Sequence, residues 1–253
     1  MTAPAWIVHR YGWLSSTMDH AEALAMCDAK ERTIVVAHQQ SAGRGRAGRV
    51  WESPPAAGLY CTAILRPEVE PARLSVLPLL IGLAVAQTLE DLTGAMVRLK
   101  WPNDVWLGDD PLHQKAAGVL LTSRLAAGRV EFVCAGIGIN LLAAKDETPP
   151  GATSVEEATG LSIAPETVLP ILLSRLEGQH AEFCAHHGRP SLAAWWHRAA
   201  LRGEQVSLVD SGRKRTGIFS GLADDGALLL VSADGHEHRI VAGDLARGPV
   251  RVN

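Results

Sequence analysis

The sequence predicts an α+β protein: a mixed, mostly antiparallel sheet packed with helices, followed by a small C-terminal β-barrel. Three observations carry this. Residues 97–101, 117–124 and 130–140 read as strands separated by glycine-containing turns, the pattern of an antiparallel meander. Residues 74–92 place Leu74, Leu77, Ile81, Ala84, Val85 and Leu89 at helical spacing, with Leu92 closing the face. One long buried helix, bent near Pro78, is therefore expected against the sheet. After Arg202-Gly203 the texture changes to short alternating strands. Residues 1–202 and 203–253 are thus expected to be separate domains.

In chain order, residues 7–13 read as an opening strand. Ser15-Ser16-Thr17 offers an N-cap to a helix carrying Ala21, Leu24 and Ala25. Thr33 to Ala37 is a β-branched strand leading into a loop over 40–49. Residues 59–65 form the next strand, stopped by Pro67. Beyond the meander, 165–184 and 192–201 read as helices, the first with Pro165 in its opening turn. The last region holds strands at 205–209, 215–220, 227–231 and 238–241, with tight turns at Asp225-Gly226 and Asp234-Gly235.

The bulk composition sets limits. Hydrophobic residues make up 47% of the 253, enough to bury a sizeable core. The net charge of -3 argues against a general nucleic-acid binder and makes any phosphate contact a local matter. Cys27, Cys61, Cys134 and Cys184 are scattered and read as buried free thiols of a reducing cytosol. Residues 1–14 lack the look of a signal peptide. The apolar run 76–86 is too short to span a bilayer. A soluble cytoplasmic protein without membrane or nucleic-acid partners is expected. His186-His187 and His236-Glu237-His238 lack zinc-motif spacing, so no protein-bound metal is expected.

Two strings carry the chemistry. Gly43-Arg44-Gly45-Arg46-Ala47-Gly48-Arg49 matches the dinucleotide fingerprint literally, but Pro54-Pro55 and Gly58 soon after it preclude the helix that fingerprint requires. What remains is a loop of three glycines and three arginines in seven residues. Glycine permits close backbone approach, and arginine presents a fork of donors suited to phosphate and carboxylate. A solvated basic loop is the plain alternative. Its place between two strands, with Gln40 before and Trp51 after, favours anion binding. The second string is Lys100-Trp101-Pro102-Asn103-Asp104-Val105, where Pro102 fixes a turn with Asn103 and Asp104 at its tip. Further on, Lys115 heads the apolar strand Ala116-Ala117-Gly118-Val119-Leu120-Leu121. It is either a lysine whose head reaches solvent or one that meets an anion.

The run from Gln40 to Pro54 resembles the signature loop of biotin protein ligases. Lys100-Trp101-Pro102-Asn103-Asp104 resembles that family's second hallmark, at the same order and spacing. The resemblance implies ATP-dependent formation of biotinyl-adenylate and transfer of biotin to a lysine of a biotin carboxyl carrier protein. It implies a class II synthetase-like catalytic domain and an SH3-like terminal barrel. It implies ATP as co-substrate, with Mg²⁺ carried on the nucleotide, and leaves open a homodimer. By the same resemblance, Ser16, Thr17, Gln40, Gly43, Arg44, Lys115 and Gly118 contact biotin. Arg46, Arg49, Trp51, Lys100, Asn103 and Asn140 contact ATP, with a plain core position the alternative for Trp51. Lys115, Arg46 and Asp104 form the catalytic set, Asp104 orienting or deprotonating the incoming lysine. Met18, Gly58 and Thr122 depart from the family pattern, which often has Asn, Asn and Glu there.

Lipoate or octanoate ligases and transferases resemble this fold but lack the pairing of the two strings. A biotin-sensing repressor needs a helix-turn-helix ahead of Ser16-Thr17, for which no room is expected. A non-enzymatic phosphate-gripping module is the third reading.

Overall fold

The computed structural model describes residues 5–108, 114–143, 150–210 and 213–248. Its elements are β1 (Ile7–Tyr11), α1 (Thr17–Met26), β2 (Thr33–Ala37), β3 (Gly58–Leu65), α2 (Leu77–Thr93), β4 (Arg98–Lys100), β5 (Asp104–Leu107), β6 (Gln114–Ala126) and β7 (Arg129–Asn140). There follow α3 (Val155–Thr159), α4 (Pro165–His186) and α5 (Arg189–Arg198), then β8 (Gln205–Asp210), β9 (Arg213–Leu222), β10 (Leu228–Val231), β11 (Glu237–Ile240) and β12 (Ala246–Arg247).

The first sheet has the order β1-β2-β3-β7-β6-β5-β4. Only β1 and β2 run parallel, so it is mixed and mostly antiparallel, as expected. The central strands β2 and β3 are buried at every residue because both faces are covered. Side-chain alternation divides them: Ile34 and Val36 enter the main core, while Val35 and Ile64 meet Met18, Ala21 and Ala25 of α1.

Helix α2 is buried almost all round, from Leu77 to Leu89. Pro78 lies in its first turn, and the expected bend is a junction with the 3-10 segment Pro71–Val76. Together Pro71–Thr93 is long and apolar enough to cross a membrane by length and composition, contrary to the expectation from residues 76–86. Most of it is instead buried within the protein. The buried Thr88 hydroxyl donates to the Ala84 carbonyl at 2.8 Å, so it is satisfied inside the helix.

Several expectations need correction. The meander has four strands, because β5 starts at Asp104. That residue pairs with Gly118 instead of standing at the turn tip, and Asn103 alone keeps the turn position. Four residues following a Pro-Asn turn give too short a period to register as a strand. Helix α3 was not expected either. Cys61 and Cys134 are buried, and burial pushes both thiols up to about 12, but Cys27 and Cys184 are exposed. The C-terminal strands form an open antiparallel sheet, β11-β10-β9-β8-β12, in place of the expected closed SH3-like barrel. Among the described residues β11 and β12 stay on opposite edges.

This open sheet shares the main core: Val206, Leu208, Phe219, Leu228 and Leu230 pack with the helices, and Phe219 meets Trp196 edge-on at 5.0 Å. A second tie comes from Trp101, 2% exposed, whose Nε1–H donates to the Gly226 carbonyl at 3.0 Å. Trp101→Ala is expected to lower stability by about 3–5 kcal/mol, read as a fall in the urea midpoint. Trp101→Phe should recover only part of this, because Gly226 then loses its donor.

Candidate active site

The loop predicted to bind an anion folds over one face of the first sheet. Gln40 bridges Ser53 and Arg44 bridges Val50, so the loop is a narrow, hairpin-like flap. Its tip is a single 3-10 turn, Arg46–Gly48, in which Ala47 and Gly48 take positive φ. No α-helix starts there, which removes the dinucleotide-fold reading. At Gly43 a Cβ would lie 2.3 Å from the Trp51 carbonyl oxygen. Glycine is needed here so that the two arms of the flap can meet.

Under the flap lies a cleft. Its inner end is polar. Ser16 caps α1, its hydroxyl accepting from the Met18 N–H at 3.2 Å. Gln40 Oε1 accepts from the Thr17 N–H at 2.7 Å and from the Thr17 hydroxyl at 3.0 Å, while its amide donates to Ser53 Oγ at 2.8 Å. Thr62, which the sequence reading missed, donates to Thr17 Oγ1 at 2.9 Å from β3. Met18 closes the floor over Gly136, where a Cβ would come 2.7 Å from the methionine methyl. Thr122 bonds the Glu22 carboxylate at 2.5 Å and Met18 Sδ at 3.4 Å.

The outer end is cationic. Arg46 donates to Asn103 Oδ1 at 2.8 Å, and Asn103 in turn donates to the Val119 carbonyl at 2.9 Å. Arg46 and Arg49 both reach Asp244, at 3.4 and 3.0 Å. Lys115 pairs with Asp104 at 2.6 Å and stands 5.3 Å from the centre of the Trp51 ring. A one-residue bulge produces this pair. Val105 opposes Ala117 but Trp106 opposes Lys115, so Ala116 is the extra residue. Were Ala116 paired in a regular ladder, Lys115 would oppose Leu107 and point to the other face of the sheet, away from Asp104.

Trp51 forms a partition. Its ring lies flush on β7, where a Cβ at Gly138 would come within 2.3 Å of it, and its Nε1 is buried with no hydrogen-bond partner among the described residues. Beyond it opens a second cavity, lined by Trp51, Lys115, Asn140, Leu142, Thr153 and Glu157. Residues 151–153 hold that wall by pairing with the start of β6: Lys115 N–H donates to the Gly151 carbonyl, and Thr153 N–H to that of Lys115. Asn140 donates to the Thr153 carbonyl at 3.0 Å.

Ser16, Thr17, Gln40, Arg44, Arg46, Arg49, Trp51, Asn103, Lys115 and Gly118 thus line one cleft. Asn140 lies in the second cavity. The Arg44 side chain turns to Asp19 and Glu22 of α1. Gly43, Asp104 and Lys100 line neither cavity. Lys100 sits 5.2 Å from the Trp106 ring centre, and its burial lowers its pKa against the pull of Asp104. The sequence reading also missed Asp244, Ser53 and the 151–157 wall. Their contacts join segments 10 to 200 residues apart, roughly, and leave no local pattern.

The biotin/lipoate A/B protein ligase family model matches residues 13–140, and the biotin protein ligase C-terminal domain model matches 202–247. A biotin–[acetyl-CoA-carboxylase] ligase of Paracoccus denitrificans is 36% identical over 226 residues, covering 86% of this chain and 92% of that protein. A bifunctional ligase/repressor of Bacillus subtilis is 33% identical over 239 residues, covering 93% and 72%. Among solved structures, the biotin protein ligase from Aquifex aeolicus in complex with biotin and ATP superposes with a TM-score of 0.78 at 29% identity, over 95% of this chain and 97% of that one. The first match contains the glycine–arginine flap, Asn103, Lys115 and Asn140, and on it the chain belongs to the biotin/lipoate A/B protein ligase family.

Proposed function

We propose that the protein activates biotin with ATP and transfers it to a lysine of a biotin carboxyl carrier domain. The observation that carries this is the position of Lys115, whose side chain borders both cavities at the edge of the Trp51 partition. A carboxylate in the first cavity and a nucleotide in the second would meet beside one ammonium. In this reading residues 1–202 form the biotin- and ATP-binding domain and residues 203–253 the small C-terminal one. The enzyme works in the cytoplasm.

The polar inner end favours biotin over a lipoyl or octanoyl chain. A ureido ring offers one acceptor and two donors to the hydroxyl and amide groups of Ser16, Thr17 and Gln40. An apolar chain end would leave those groups desolvated and unpaired. The carboxylate then lies toward Lys115. ATP, arriving as its magnesium complex, places its phosphates by Arg46 and Arg49. Both reactants are anionic. The two arginines and Lys115 offset their repulsion and the charge that builds as the carboxylate attacks the α-phosphorus and pyrophosphate departs. The carrier amine next attacks the acyl carbon, and AMP leaves. Arrival of anions draws Lys115 from Asp104, which frees that carboxylate to orient the amine and take its proton.

Lys115→Ala and Arg46→Ala should each reduce biotin-dependent ATP–pyrophosphate exchange by about 100-fold or more. Near-normal exchange in both would remove these roles. Gly138→Ala pushes a methyl into the Trp51 ring. It is expected to raise KM for ATP about tenfold, from an overpacking cost of roughly 1–3 kcal/mol, while circular dichroism stays native. The activity itself is checked by mixing the protein with ATP, Mg²⁺, biotin and an apo carrier domain and weighing the carrier. No mass gain with biotin, or a gain with lipoate instead, would refute the reading.

A further inference from the structure

The two arginines assigned to phosphate are already held by an anion from the other end of the chain. Arg49 donates to Asp244 Oδ2 at 3.0 Å, and Arg46 donates to Oδ1 at 3.4 Å and to the Gly243 carbonyl at 3.3 Å. The carboxylate therefore takes one arginine on each oxygen, the arrangement by which a phosphate group engages a pair of guanidinium forks. The contact is built and not casual. Gly243 has φ 152 and packs so closely that a Cβ would lie 3.1 Å from the Val209 carbonyl. Leu245, 1% exposed, anchors the next position in the core. Between these two fixed neighbours, the Asp244 side chain points at the flap.

We propose that Asp244 is an internal competitor for the phosphates. With no nucleotide bound it neutralises Arg46 and Arg49 and holds the tip of the flap against the C-terminal sheet. A triphosphate displaces it, and the flap is released to close over the reactants. This rests on the ligase reading only in naming ATP as the displacing anion. The competition itself concerns any polyphosphate. The pairs are solvent-accessible and contribute modestly, so the latch is weak enough to be opened by substrate. Its second effect is to reduce the repulsion between two neighbouring arginines while no anion is bound.

The test uses the full chain and inorganic pyrophosphate as probe, with binding measured by calorimetry for wild type, Asp244→Asn and Asp244→Asn combined with Arg46→Ala and Arg49→Ala. Asp244→Asn should bind pyrophosphate about threefold to tenfold tighter, in keeping with the loss of an exposed charged competitor. The gain should vanish when the two arginines are also replaced. Unchanged or weaker binding in Asp244→Asn would overturn the latch, and so would a gain that survives without the arginines. Biotin-dependent exchange by the wild type is measured alongside. Its absence together with tighter pyrophosphate binding would leave the competition standing and remove the ligase reading.

Discussion

One ion pair fixes the geometry on which the rest depends. Lys115 and Asp104 meet at 2.6 Å on neighbouring strands, both half-buried. Removing either charge alone would leave the other half-buried without its partner. The pair exists because Ala116 bulges out of the β5–β6 ladder, which leaves Lys115 opposite Trp106 and on the face that Asp104 occupies. The ammonium is therefore placed by backbone register, before any ligand contributes. The flap, the partition and both cavities are arranged around that point.

The apolar part of the fold serves the same end. α2 packs under the sheet, and Trp101, one residue beyond β4, crosses to the Gly226 carbonyl. Asn103 sits two residues further on, so the turn that holds Arg46 is fixed to both sheets at once. Between them, a hydrophobic anchor and a hydrogen bond position a polar turn.

Much of this was legible in the residues. The β-branched Thr33 to Ala37, the apolar spacing of α2 and the strands β3, β6 and β7 follow period rules strong enough to survive without tertiary context. The flap and Lys115 stood out because their charge density had no structural excuse. β5 was lost behind its own turn residues. α3 was lost although Ser154 and Glu157 form a capping box, because five residues cannot display a helical face. Barrel closure was misjudged because strand texture does not report whether the edges meet. Asp244 was invisible for another reason: its partners lie 195 and 198 residues away. Of the three departures from the family pattern, Met18 and Thr122 touch each other beside Glu22, and so form one change, not two.

The bulge at Ala116 also gives a meaning to spacing. In the string from Lys115 to Gly118, the two intervening alanines are not a generic spacer: one is paired with β5 and the other is the unpaired extra. Substituting either by another small apolar residue preserves the count and so preserves where the ammonium points. Straightening the ladder with both alanines kept would set Trp106 against Ala116 and turn every side chain upstream of it in β6 to the opposite face. For this strand, the break in alternation at Ala116 therefore decides which face the upstream residues reach.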